Sequence, residues 1–192
     1  MLAIVGGYLL QSVSPWGAAS LAYAFSPAEF EAGRWDTLFT ALFVHGSWGH
    51  ALMNGAFALA FGTPVARYLG TRPGGAAAFF AFYLACGALS SAAYALLHAG
   101  EAILLAGASG AVSGLAGVAA RLIAGRGEMG RVLSPTVIGM AGAWLIINLL
   151  VAVVGFAPGA GYAQVAWEAH IAGFVAGVAL SPLLAMARPR FD

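Results

Sequence analysis

The sequence predicts an all-α membrane protein, a bundle of six transmembrane helices with a long interfacial first loop. Three observations predict it. First, 61% of the 192 residues are apolar and only 8% are charged, against about 25% charged in an average soluble domain. A chain so poor in charge cannot cover itself against water, so lipid must be the solvent for most of it. Second, apolar runs close to the roughly 20 residues needed to cross the hydrocarbon core recur along the chain. Third, seven of the eight arginines fall on alternate loops, the mark of a chain that crosses back and forth with its positive charge on one side. The 27 glycines suit a tight bundle, because small residues let membrane helices approach closely.

The elements follow in order, within one domain covering 1–192. Residues 1–13 are apolar but too short to span alone, and they predict a partial first helix whose start is missing. No basic residue precedes the run, which argues against a signal peptide. Residues 14–44 mix Pro15, Pro27, Glu29, Glu31, Arg34 and Asp36 with Trp16, Phe25, Phe30 and Trp35, a pattern of amphipathic pieces lying at the membrane interface. Helices are then expected at 48–66, 76–97, 108–124, 135–155 and 167–186. Arg67, Arg72, Arg121, Arg126, Arg131, Arg188 and Arg190 share one side, while Glu29, Glu31, Arg34, Asp36, Glu101 and Glu168 occupy the other. Positive charge marks the cytoplasm, so the C-terminus is expected to be cytoplasmic. A loop at 156–166, rich in glycine at Gly155, Gly159 and Gly161, is expected to be mobile. The simplicity of the chain, with no accessory domain and no targeting segment, suggests a bacterial inner membrane.

Composition also excludes classes. Every basic residue is Arg, but no basic cluster exists to bind a nucleic acid backbone. The single cysteine, Cys86, offers neither a disulfide framework nor a metal motif and reads as a small packing residue.

Polar groups inside a bilayer are costly, so their positions carry information. One such place is Gly107-Ala108-Ser109-Gly110. It opens a helix of about 16 residues, roughly 24 Å at 1.5 Å per residue and short of a full crossing. Ser109 is therefore expected below the outer surface, with 99–108 dipping in to meet it. Backbone N–H groups at a helix start can hold a developing oxyanion. Taken alone, the motif reads more readily as an N-capping serine in a Gly-rich packing stretch.

A second place is His170, followed on its helical face by Gly173 and Gly177. Ala169, Gly173 and Gly177 form one small-residue face, and Gly110 and Gly114 another. Packed backbone to backbone, the two would bring His170 to hydrogen-bond distance of Ser109, as a serine nucleophile needs. No Asp or Glu lies within the spans to orient the ring, which makes a Ser–His dyad rather than a triad. The third place is His45 with His50 and Asn54, the last two four residues apart on one helical face. Both can donate hydrogen bonds, as an oxyanion hole requires, or can join helices together. A metal site lacks a carboxylate or thiolate partner at suitable spacing.

Together the three places resemble the rhomboid family of intramembrane serine proteases. The family pattern is His-x4-His-x3-Asn on the second helix, Gly-x-Ser-Gly opening the fourth and Ala-His-x2-Gly on the sixth. Here it reads His45, His50 and Asn54, then Gly107-Ala108-Ser109-Gly110, then Ala169-His170-Ile171-Ala172-Gly173, within residues 25–186. The resemblance implies a rhomboid-like bundle with Ser109 as nucleophile and His170 as general base. It implies an oxyanion hole from His50, Asn54 and the Ser109 N–H, supported by His45, Gly107, Gly110 and Gly173. It implies no cofactor, no metal, single-pass membrane proteins as substrates and a site opening to the extracytoplasmic side. The chain departs from the pattern in three places, the first being the truncated first helix. Asp36-Thr37 stand where relatives often carry Trp-Arg. Ser113 stands where many carry an aromatic residue for the His to stack on, which predicts a different hold on His170. Two other possibilities stay open: a catalytically inactive relative that binds membrane proteins, and a non-protease bundle such as a small transporter or a haem protein using His50 and His170.

Overall fold

The computed structural model describes residues 1–14, 17–154 and 165–188. Pro15, Trp16, Arg190, the glycines Gly155, Gly159 and Gly161, and most of the loop expected to be mobile lie outside the described residues. All described elements are helical, and β structure among them is limited to the isolated bridges Phe25–Leu105 and Gly125–Glu128.

A short helix α1 (Leu2–Val13) leads into a chain of brief turns: a 3-10 turn at Ala18–Tyr23, α2 (Pro27–Glu31), α3 (Thr37–Thr40) and a second 3-10 turn at Ala41–Phe43. The five long helices are α4 (Trp48–Leu69), α5 (Pro73–Leu97), α6 (Ser109–Ala124), α7 (Pro135–Val154) and α8 (Trp167–Ala187). Most ends fall within the residue or two by which helix boundaries are uncertain. Two lie further out. Pro64 sits inside α4 without ending it, so α4 runs to Leu69. Pro73 begins α5 three residues before the expected start, because proline's fixed φ and missing N–H suit the first helical position.

Three helices, α5, α7 and α8, are long and apolar enough to cross a membrane. That is fewer than the six spans expected. The helices α1 and α6 are short, and α4 carries His50, Asn54, Thr63, Arg67 and Tyr68 along its length.

The centre of the molecule is α6. All its residues from Gly110 to Leu122 are buried, and Val112, Leu115, Val118 and Leu122 pack against Val65 and Leu69 of α4, Phe82, Tyr83 and Cys86 of α5, and Leu184 of α8. Cys86 is fully buried among them. Glycine brings the flanking helices in. A Cβ built on Gly173 of α8 would strike the Gly110 carbonyl and lie 3.1 Å from Ser113 Cβ, and one on Gly177 would strike the Gly114 carbonyl. On α6, a Cβ on Gly114 would fall 2.5 Å from Cys86 Cβ. The expected meeting of the two small-residue faces is therefore present, and α5 closes it from behind. Arg121, expected at a loop, is instead buried: Nε donates to the Gly130 carbonyl at 2.9 Å and Nη1 to Ser181 Oγ at 2.5 Å. It ends a helix covered on all sides, so its long side chain turns along the interior to reach acceptors.

By contrast α7 is peripheral. Only Val137 and Asn148 of its 20 residues are buried.

Candidate active site

Three segments converge where α6 begins. The first loop holds the approach to Ser109. Phe25 and Leu105 exchange two backbone hydrogen bonds of 2.8 Å, and the Gly107 N–H donates to the Ala41 carbonyl at 2.9 Å. Residues 105–108 are thus tied to 25–41, and Ala108 is fully buried. Buried non-helical backbone is acceptable here because its polar groups find partners within the protein. His45 belongs to the same support. It is fully buried, its main chain exchanges hydrogen bonds with the Gln11 side chain, and its Nε2 accepts from the Ala108 N–H at 3.4 Å.

At Gly107 the backbone adopts φ +115°, and a Cβ there would lie 2.7 Å from His50 Nε2 and 3.5 Å from Asn54 Nδ2. Only glycine fits, for both reasons. The absent side chain is what lets the His50 ring and the Asn54 amide reach the residues just before Ser109. Ser47 caps α4 by accepting from the His50 N–H at 3.1 Å, which sets the rotation that turns both residues this way. Asn54 Nδ2 is buried and has no hydrogen-bond partner among the described residues. A buried unpaired donor costs about 1–3 kcal/mol, so such a donor calls for an explanation.

Ser109 is the first residue of α6, and Ala108 is the N-cap. The serine therefore does not cap the helix, contrary to the simpler reading of its motif. Among the described residues its hydroxyl makes no hydrogen bond, and neither does its backbone N–H. Its carbonyl accepts from Ser113 Oγ at 2.7 Å.

His170 lies on the first turn of α8, whose start is pinned from α5. Ser90 Oγ donates to the Ala169 carbonyl at 2.6 Å, and Ala169 O is 4.0 Å from a Cβ built on Gly110. His98, stacked on Tyr94, bridges Glu101 at 3.3 Å and Glu168 at 3.6 Å. Backbone packing thus brings the turn carrying His170 against the turn carrying Ser109. The expected hydrogen bond between the two side chains is absent among the described residues. His170 Nδ1 instead lies 2.7 Å from Asn148 Oδ1 on α7. Catalytic hydrogen bonds are often long before substrate binds, and a bond to Nδ1 leaves Nε2 available.

Asn148 is the residue that sequence reasoning missed. Its signal was an amide alone in a run of apolar residues. The two other features of the region do not open over Ser109: cavities of about 730 and 490 Å³ lie beside α1, against Tyr23 and Phe43 and against Tyr8 and His45. No group of three or more metal-binding side chains occurs among the described residues.

No curated protein matches the chain. A family model described as the rhomboid domain matches residues 32–187, well over half of the chain, and the match includes His45, His50, Asn54, Ser109, Asn148 and His170. The chain belongs to the rhomboid family.

Proposed function

We propose that the protein is an intramembrane serine endopeptidase that cleaves membrane-protein segments with Ser109 as nucleophile and His170 as general base. Rhomboid proteins are in general intramembrane serine proteases. The observation that carries the proposal for this chain is a set of unpaired groups at one spot. Among the described residues the Ser109 hydroxyl and N–H make no hydrogen bond and the buried Asn54 Nδ2 has no partner, while the His50 ring reaches the same backbone. A structural serine or asparagine at this depth would be expected to spend its hydrogen bonds on the fold.

In the proposed reaction, His170 Nε2 takes the hydroxyl proton as Ser109 Oγ attacks the scissile carbonyl. The developing oxyanion is met by the Ser109 N–H, Asn54 Nδ2 and the His50 ring. The proton then passes to the leaving amine, and water hydrolyses the acyl-enzyme with the same base. We further propose six crossings, α1 and α4–α8, with the C-terminus in the cytoplasm and the site open to the other side.

One observation favours the alternative of an inactive, binding relative: Ser109 and His170 are not hydrogen-bonded. Labelling of the detergent-solubilised protein with a fluorophosphonate decides between them without a known substrate. Wild type should label, and Ser109→Ala and His170→Ala should not although both fold, the second melting lower because Asn148 loses its partner. A folded wild type that stays unlabelled would sink the protease reading.

A further inference from the structure

Among the residues of α7, Asn148 stands apart. It is one of only two buried positions on this peripheral helix. An amide there is tolerated only when both of its ends are satisfied, and both are. Nδ2 donates to the Trp144 carbonyl, one turn back, at 2.8 Å, and Oδ1 lies 2.7 Å from His170 Nδ1.

The two contacts together fix a proton. A carbonyl oxygen can only accept, so the amide nitrogen must face Trp144. The amide oxygen must then face His170. An amide oxygen can also only accept, so His170 Nδ1 must carry hydrogen. In the neutral ring the lone pair is thereby left on Nε2, the nitrogen a general base uses when Nδ1 is held from behind. No carboxylate does this work here: among the described residues no Asp or Glu bonds to His170.

We propose that Asn148 is the positioning residue of the site, holding His170 in its Nδ1–H tautomer and aiming Nε2 at Ser109. The inference rests on the protease reading above. Its competitor is interhelical glue, in which Asn148 merely fastens α7 to α8. The two roles differ in what they ask of a replacement. A positioning role needs an acceptor facing Nδ1, and a fastening role needs only a good fit.

The test uses the full chain with Asn148→Leu, which keeps the branched shape and loses the acceptor, and Asn148→Asp, which keeps the acceptor but loses the bond to Trp144. Fluorophosphonate labelling is followed as maximal rate and half-saturation separately, beside melting temperature. General base catalysis contributes about 10²–10⁴-fold, so Asn148→Leu should lose about 10- to 10²-fold of the maximal labelling rate, with half-saturation little changed. Asn148→Asp should recover most of that rate even if it melts lower. Labelling by Asn148→Leu at the wild-type rate, or by Asn148→Asp no faster than Asn148→Leu, would overturn the assignment. Histidine-selective ¹⁵N NMR, with the His170 signal identified by its loss in His170→Gln, reads the tautomer directly. Nδ1–H is expected in wild type and a mixture in Asn148→Leu; Nε2–H in wild type overturns the proposal. A wild type that does not label overturns the protease reading, and with it the catalytic use of Asn148. The NMR signal alone then says whether Asn148 holds the ring.

Discussion

His50 and Asn54 stand one turn apart on α4 and reach the same backbone because Gly107 has no side chain to keep them away. Their proposed role makes a graded prediction. Removing one oxyanion donor typically costs about 10²–10³ in rate, so His50→Ala and Asn54→Ala should each slow cleavage of a membrane-protein substrate by about that much. Both should still label slowly with the fluorophosphonate, since Ser109 and His170 remain. Two variants that cleave at the wild-type rate would remove the oxyanion role and leave Asn54 Nδ2 as an unexplained unpaired donor. Most of this site was legible in the sequence, because each group comes with neighbours that betray it. Ser109 is bracketed by Gly107 and Gly110, His170 is followed by Gly173 and Gly177, and His50 is spaced four from Asn54. Asn148 has no such signature. Whether it faced lipid or His170 depends on the rotation of α7 about its own axis. An apolar run gives no amphipathic stripe from which to read that rotation. The capping role considered for Ser109 failed for a related reason: one residue of register decides whether a serine caps a helix or starts it.

At the level of elements, the seam between α6 and α8 holds the site together, and it is a seam of backbone. Gly173 and Gly177 lie against the carbonyls of Gly110 and Gly114. A side chain at Gly173 would meet main-chain atoms, which cannot swing aside, so Gly173→Leu should destabilise the protein by about 3 kcal/mol, the upper end of overpacking costs. Thermal unfolding in detergent reads this, and an unchanged midpoint would show that the seam is looser than its geometry. This packing was legible from the glycine spacing alone. The first loop was legible only as amphipathic, because its short turns are fixed by contacts distant in sequence, such as Phe25 with Leu105. One of its clamps is electrostatic. Arg34 donates to both oxygens of Asp36 at 3.0 and 3.2 Å and to the Ala22 carbonyl at 3.1 Å. That hydrogen bond holds the Asp36 carboxyl below its ordinary value of 3.8. A carboxyl lowered by folding adds stability above its unfolded value, and the gain is lost as pH falls through the folded one. Both side chains are about half exposed, so the contribution is small and salt-sensitive. Hydrogen exchange at 33–37, corrected for its intrinsic pH dependence, should be flat from pH 5 to 8 and lose protection below about 3.8. Protection lost already near neutrality would point to another group.

For the whole molecule, the contacts between helix ends sort into two sets. One set joins Glu31 to Gly100, Glu101 to Ala28 and His98 to Glu168. These tie the first loop, the end of α5 and the start of α8. The other joins Arg188 to Glu128 and to the ring of Tyr68, and Arg121 to Gly130 and Ser181. These tie the ends of α4, α6 and α8. Passing along the chain, α4, α5 and α6 lead alternately from one set to the other. Such alternation is what a chain threading a bilayer produces, and the arginines gather with the second set, which the positive-inside tendency assigns to the cytoplasm. On the proposed topology the first loop and Arg131 are separated by three crossings, an odd number, and should face opposite sides. Two exposed positions test this, Ala32→Cys and Arg131→Cys. The native Cys86 is fully buried, so it should stay silent toward a membrane-impermeant maleimide. In intact cells the reagent should label position 32 and spare 131, and in inverted vesicles it should do the reverse. Labelling of both from one side would mean that one of α4, α5 or α6 does not cross. Labelling with the sides exchanged would keep the crossings and invert the orientation, turning the start of α6, and Ser109 with it, toward the cytoplasm.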